Sequence, residues 1–456
     1  MFGGVCRKFL DDEQGAGTIM GLLWFMLLVG ITGMAVDVTD GFRSKTMLQA
    51  TADAAALAGA IDLPDEATVV ATAVAYSDTN MATDDYGTVL LDADVDIGSW
   101  DASTHIFTVG TTLPDAVRVR TRRSIENNNP APVNFLRIIG LMNWNVTTYA
   151  IAQRFIPACL LNDGLVARGI VDLSSNNKFV DDICIHGQEG VNMQRNNSFE
   201  PGVKVSMPDM DNDLVLPSGN MDGNPGLEAV LREQSLDPRM VNHIDEIMAD
   251  LMMMEDYVTP EYIDTDVAMI EEDANFDFSD LVDGGVYHIV CESNQLVSIP
   301  DYTVLDNVAI VADCRISVGS DVQMTDVVLA SLSGGNNGAS KAVGSNLNSG
   351  RGGAGVESAN IRFAANSVLG ADDNCAPGGG VQIFSNASVS FSSGTTYNGV
   401  QIVAAGDVNL GARIEGINGL NVQAGHDITM TSNNAIGLCT GGTPQLFTVD
   451  YYRLVY

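Results

Sequence analysis

From Gly15 to Val36 the chain reads GAGTIMGLLWFMLLVGITGMAV, 22 residues without a charged side chain. As a helix rising about 1.5 Å per residue, this run is about 33 Å long, enough to cross a hydrocarbon core of about 30 Å. In lipid every backbone polar group has to be paired within the segment, so an isolated run of this length has to be helical there. Arg7 and Lys8 precede it, while Asp37 and Asp40 follow it. The positive-inside rule then leaves residues 1–14 in the cytoplasm and the bulk of the chain outside. A cleaved secretory signal is the rival reading. The run is long for such a signal and no clear small-x-small site closes it before Asp37, so an anchor is favoured. Gly17 and Gly21 have GxxxG spacing, but glycine is common in membrane helices and incidental placement suffices.

Past the run the helical pattern continues. Met47, Ala50, Ala54, Leu57 and Ile61 recur at helical spacing, and the alanine-rich TADAAALAGA permits close packing against a partner helix. Pro64 ends this helix and Glu66 opens a second. From Thr88 the period becomes two: VLLDADVDIGSWD, HIFTVG and AVRVRTRR read as strands, NFLRIIG as a short helix and VTTYAIAQ as a closing strand. Helices leading into a small antiparallel sheet make an α+β unit over residues 37–155.

These same segments carry a resemblance. EQGAG before the apolar run, AVDV after it, LQATADAAALAGA, GSWD, AVRVRTRR and YAIAQ resemble the tight-adherence (Flp) pilus assembly TadE/TadG-like proteins in order and spacing. The LQ-x-x-ADAAALA block is the most specific part. The resemblance covers about the first 155 residues and implies a pseudopilin-like protein of the bacterial inner membrane, with other pilin-like or pilus assembly proteins as partners. Two departures qualify it. Relatives processed by prepilin peptidase carry Glu five residues past the cleaved glycine, whereas counting from Gly15 gives Met20, so no such cleavage is expected. The von Willebrand A module of some relatives needs Asp-x-Ser-x-Ser; the nearest stretch, DLSSN at Asp172–Asn176, lacks the second serine.

Beyond Ala158 the chain turns rich in Gly, Asn and Ser. Val381, Val400 and Leu420 lie 19 and 20 residues apart, and Val389, Val408 and Ile428 repeat that spacing. Small polar turns followed by alternating strands at a period of about 20 read as a solenoid, a right-handed parallel β-helix, with inward Val, Ile, Leu and Phe as one core. SSNNKFVDDICIHG and RNNSFEPGVKVSM read as earlier rungs. LEAVLREQSL and VNHIDEIMADLMMMEDYV have helical periodicity and read as an insertion or cap. The glycine-rich Gly334–Gly355 reads as an excursion between rungs. The expected architecture is therefore mixed. It comprises a cytoplasmic tail (1–14), a transmembrane helix (15–36), a pilin-like α+β domain (37–155), first solenoid rungs (156–223), a helical insertion (224–280) and a β-helix (281–456).

Seven cysteines are present, six of them after the membrane run, as suits an oxidising compartment. Residues one rung apart become neighbours, which favours Cys159–Cys184 and Cys291–Cys314, 25 and 23 residues apart. Cys375 and Cys439 form the remaining pair only if a loop or cap brings them together.

Signals for chemistry are sparse. GRGGAG at Gly350–Gly355 spells GxGxxG, but the strand-like VESANIRFAANSV follows instead of a helix, which argues against a dinucleotide site. Asp209, Asp211 and Asp213 (DMDND) suggest a calcium loop, yet Leu214 and Asn220 stand where an EF-hand needs Gly and Glu; a loose calcium site and a solvated acidic turn both stay open. Asp407 and Asp427, with Asp321 assigned to the same rung slot, could pair as in glycoside hydrolysis. Ser367 and Ser388 fill that slot elsewhere, and Asp and Ser are what tight turns recruit, so a structural role is favoured. With 22 Lys and Arg against 58 Asp and Glu the net charge is −36, which repels nucleic acid and anionic membrane surfaces at long range. The expectation is a non-enzymatic component without cofactor, bound to lipid and pilus proteins, with a surface glycan as a further candidate partner. An envelope-tethered carbohydrate-binding or carbohydrate-active β-helix is the alternative.

Overall fold

The computed structural model describes residues 15–155, 157–161, 164–217, 221–292, 295–334, 360–373, 376, 378–411, 417–437, 447 and 449–455. The chain forms two compact units: one runs to Phe155 and takes back the chain from Asp450, the other is Ile156–Val449.

In the first unit one helix, α1, runs unbroken over Gly15–Ile61. Its second half is narrow because its inward face is alanine. Ala52, Ala55, Ala56 and Ala60 pack on Val117, Val119, Ala150 and Ala152 of a sheet behind it. The second helix, α2 (Glu66–Asn80), is capped by Asp65, whose carboxylate accepts from Ala67 N and Thr68 N. Val69 and Ala73 complete the same core. The sheet contains β1 (Val95–Asp101), β2 (Ile106–Val109), β3 (Ala116–Arg123), Val146–Phe155 and Tyr451–Leu454, in the order β2, β1, β3, 146–155, 451–454. That last strand is a correction: residues 451–454 were assigned to the β-helix, but Tyr451 pairs antiparallel with Phe155. On the open face Asp94, its carboxylate fully buried, takes Arg120 and Arg122 at 2.7 and 2.9 Å.

The second unit is β-rich, with parallel sheets stacked rung on rung, consistent with the expected solenoid. Val381, Val400 and Leu420 pair in register, as do Val389, Val408 and Ile428. Alternate residues point into one continuous core; from Val304–Ala312, for example, Val308, Ile310 and Ala312 face inward. Phe179 on Phe199, and Phe363 on Phe391, stack with ring centroids 5.1 and 4.6 Å apart.

Stacking order does not follow the sequence. Reading one sheet from end to end gives 231–233, 204–207, 184–187, 164–167, then 417–424, 396–404, 381–385, 323–331, 304–312, 286–290 and 270–273. The first rungs therefore sit on the last: Leu165 pairs with Val422 and Val171 with Ile428. The chain winds outward from this seam to Glu233, returns to the far end, and winds back to the seam from Ile270. Eleven strands at about 4.8 Å put the two ends about 48 Å apart.

Residues 234–269 make the return journey as a strap along one face. Leu236 N donates to Gln188, Arg168 reaches Asp237 and Asn242, and Gln401 contacts Met240. Farther on Asp245 meets Asn386 and Asp264 N donates to Gly284 O. Met240, Val241, Ile244, Met248 and Leu251 cover the outward Val286, Ala309, Val311, Val328 and Val403. This explains the unbroken apolar runs VAIVA and VVLA: both faces of those strands are buried. The expected helical insertion is corrected in part. Only Ile244–Met252 forms a sizeable α-helix there, and LEAVLREQSL breaks at Leu231–Glu233, which pair with Val205–Met207 as a strand.

Candidate functional site

The front of α1 presents its side chains outward. Residues 18–32 are all exposed, with Phe25 64% accessible, and the helix from Thr18 is long and apolar enough to cross a membrane. Such a surface is unstable in water and matched to lipid.

Where the apolar run ends, the helix meets a loop of its own unit. Asp37, the first charged residue after the run, is almost fully buried and accepts from Asn134 N, Phe135 N and Leu136 N at 2.9, 2.8 and 2.6 Å. Desolvation raises its pKa, but those three backbone donors outweigh it and hold the carboxyl below the usual range. One turn to either side, glycine lets the loop approach. A Cβ at Gly33 would lie 2.7 Å from Phe135, and one at Gly41 would overlap the Trp144 ring. The sequence reading missed this joint. Its signals are an Asp directly after an apolar run, glycines around it, and an apolar loop sequence, FLRIIGLM, far downstream.

The five residues expected to face a partner helix are divided by the fold. Met47 and Leu57 pack against this unit's own clusters, Ala54 is half-buried, and Ala50 and Ile61 are exposed. The deepest stripe is instead Leu48, Ala52, Ala55, Ala56 and Ala60.

The acidic candidates are held in turns. Asp209 caps residues Met210–Asp213, accepting from Asp211 N and Asn212 N, and Asp213 accepts from Asp209 N. Among the described residues no group of three or more His, Cys, Asp or Glu could hold a metal. Ser388, Asp407 and Asp427 do lie on one ladder. Ser388 Oγ accepts from Asp407 N, Asp407 Oδ1 from Asp427 N, and Asp427 Oδ1 from Ile170 N across the seam. Each side chain thus bonds the N–H of the next rung, which is turn chemistry. Asp321 and Ser367 are elsewhere, a correction. Asp321, like Asn366, Asn433, Asn176 and Asn196, has positive φ at a different corner of the coil.

That corner carries a second ladder the sequence reading did not single out. Asn177 Oδ1 accepts from Asn434 N, Asn197 Oδ1 from Asn177 N, and Asn224 Oδ1 from Asn197 N, all buried. The cue was present: SNN recurs at Ser175–Asn177 and Ser432–Asn434.

Cys291–Cys314 joins neighbouring rungs, whereas Cys159–Cys184 ties the short helix Ala158–Leu161 before the first rung to strand 184–187, with Cα atoms 5.8 and 5.2 Å apart respectively. Cys375, Cys439 and the GRGGAG stretch lie outside the described residues.

Comparison with known proteins follows this division. Residues 164–440 match a family described as a domain of unknown function, DUF7867. Residues 15–62 match the Flp pilus-assembly TadE/G-like family, and residues 48–152 the Tad-like Flp pilus-assembly family. No curated protein matches the chain. Among solved structures, the competence-associated pilin ComZ from Thermus thermophilus is similar at 7% identity and a TM-score of 0.23. That match covers 80% of this chain and 88% of that one, and at so low a score it carries no argument.

Proposed function

We propose that this chain, which belongs to the DUF7867 family and opens with TadE/G-like Flp pilus-assembly sequence, is a pseudopilin-like component of a tight-adherence pilus system. It stays in the inner membrane through residues 15–36, with its N-terminus cytoplasmic and both units outside. The observation that carries this reading is the single helix Gly15–Ile61. Its lipid-matched front and its alanine-rich rear are one rigid rod; the TadE/G-like match covers that rod, and the Tad-like match starts on its rear and runs through the sheet packed behind it. Such a rod can sit beside pilin helices in the bilayer while its rear half holds a folded head.

The second unit is a right-handed β-helix that offers a long surface to proteins or to the cell exterior in adhesion. Its role is not catalytic: the paired aspartates are committed to rung N–H groups, and no cofactor is needed. The two disulfides suit an oxidising exterior.

The test is co-purification from detergent-solubilised membranes. Ala50→Asp with Ile61→Asp, both on the exposed side of α1, should abolish recovery of pilus assembly proteins while leaving the chain in the membrane fraction. Unchanged recovery would remove α1 as the assembly face.

A further inference from the structure

The loop locked to α1 by Asp37 is itself built for lipid. Residues 131–144 read APVNFLRIIGLMNW, closed at the base by pairing of Ala131 with Trp144 and Pro132 with Asn143. In a chain of net charge −36 this stretch carries one charge, and it is positive: Arg137. Ala131 and Val133 are buried at its base, but the apolar side chains of its tip are not folded away. Ile138 is 88% accessible, and Phe135, Leu141 and Met142 are exposed as well.

Position along the rod says what covers them. Phe135 packs on Gly33, three residues inside the apolar run that ends at Val36. At about 1.5 Å per residue that contact lies about 5 Å within the lipid-matched length, the depth at which interfacial apolar groups settle. The joint is rigid, with three backbone N–H groups on one carboxylate and glycine on both sides of it. The geometry points to a second membrane contact. The tip of residues 135–142 dips into the outer leaflet beside the helix, with Arg137 among anionic headgroups and Trp144 at the interfacial level. This rests on the anchor reading above, and goes beyond it in fixing the head at a set angle and height. A lone spanning helix would leave it free to swivel.

The experiment uses the full chain reconstituted into phosphatidylcholine–phosphatidylglycerol vesicles. The lipids carry bromine either near the headgroup or deep in the acyl chain. Three proteins are compared: wild type, Trp24→Phe, and Trp24→Phe with Ile138→Trp. The difference between the first two reads the anchor. That between the last two reads the loop. Ile138 is open to solvent, so an indole fits without repacking. The loop indole should emit blue-shifted from its position in water, and shallow bromine should quench it more than deep bromine does. Deep bromine should quench Trp24. If Trp24 is quenched but the loop indole emits as in water and ignores both bromines, the loop does not enter lipid and the proposal falls while the anchor stands. If Trp24 also escapes quenching, the anchor reading fails first and takes this one with it.

Discussion

Asn197→Ala tests whether the buried asparagine ladder holds the rungs together. Asn197 is fully buried. Its Oδ1 accepts from Asn177 N at 2.9 Å and its Nδ2 donates to Gln194 O at 2.8 Å. Alanine deletes both bonds and strands the Asn177 N–H between rungs. A buried donor left without its acceptor costs about 2 kcal/mol and the second bond about 1 kcal/mol, so the expected loss is about 3 kcal/mol. For a unit of this size a urea slope of about 3 kcal/mol per molar turns that into a midpoint lower by about 1 M. The assay can assign the loss to one unit, because all three tryptophans (Trp24, Trp100 and Trp144) lie before Phe155. Tryptophan emission reports the first unit alone, while far-UV circular dichroism reports both, through the 47-residue helix of the first and the sheets of the second. In detergent, Asn197→Ala should shift the part of the dichroism transition that tryptophan emission does not follow, and leave the emission transition in place. Lys178→Ala, an exposed change on the neighbouring rung, is the control and should move neither by more than about 0.5 kcal/mol. Loss no larger than the control would refute the ladder as a source of stability.

Four further outcomes follow from the same geometry. His186 is buried against Ser206 and Gln188, and desolvation lowers its pKa below the ordinary 6.5 despite hydrogen bonding to Gln188 Oε1 and the Leu236 backbone, which raises it. The unfolded chain therefore takes the proton first. Stability should be full above about pH 6.5 and fall as pH drops below it toward the depressed folded value, a slope that His186→Gln flattens in denaturant titrations at several pH values. Cys159→Ser with Cys184→Ser opens a loop of 25 residues and should cost on the order of 3 kcal/mol in the β-rich unit, read by the same dichroism titration. Asp407→Asn with Asp427→Asn keeps an oxygen acceptor for each rung N–H and removes a like charge from Asp172, whose carboxyl is pushed up by burial and by Asp427. Melting should be unchanged or slightly higher, and loss of a polysaccharide-cleaving activity on that substitution would instead establish the enzyme reading. Gly41→Leu should displace Trp144 and red-shift its emission, checked against Trp144→Phe.

What could be read from the chain was whatever repeats locally. The apolar run, the change from helical to alternating periodicity near Thr88, the 19- and 20-residue spacing of Val381, Val400 and Leu420, and two of the disulfides are all written in neighbouring residues. Stacking order is not local: nothing near Leu165 says that Val422 lies beside it, beyond the shared SNN turn. Leu231–Glu233 looked helical by spacing but became a strand because a parallel partner at Val205–Met207 overrides weak propensity. Asp321 was put on the wrong corner because a polar residue before valine marks a turn without saying which one. On α1 the stripe Met47, Ala50, Ala54, Leu57 and Ile61 was judged by helical period alone. Burial follows instead the residues one step round, where small alanines let the sheet come close.

The seam has a mechanical corollary. A coil whose chain ends lie at its tips can fray there, one turn at a time. In this unit the outermost strands, 231–233 and 270–273, are interior to the sequence and tied to one another by residues 234–269. The chain enters beside 164–167 at the seam, and on leaving it packs Phe447 on Phe384 and accepts from Gln401, on strands 381–385 and 396–404 near the middle of the stack. A motor or protease threading the polypeptide inward from residue 156 or 449 would first have to split the pile at its waist, across paired strands and two side-chain ladders. The load needed is that of shearing a block rather than unwinding a spring.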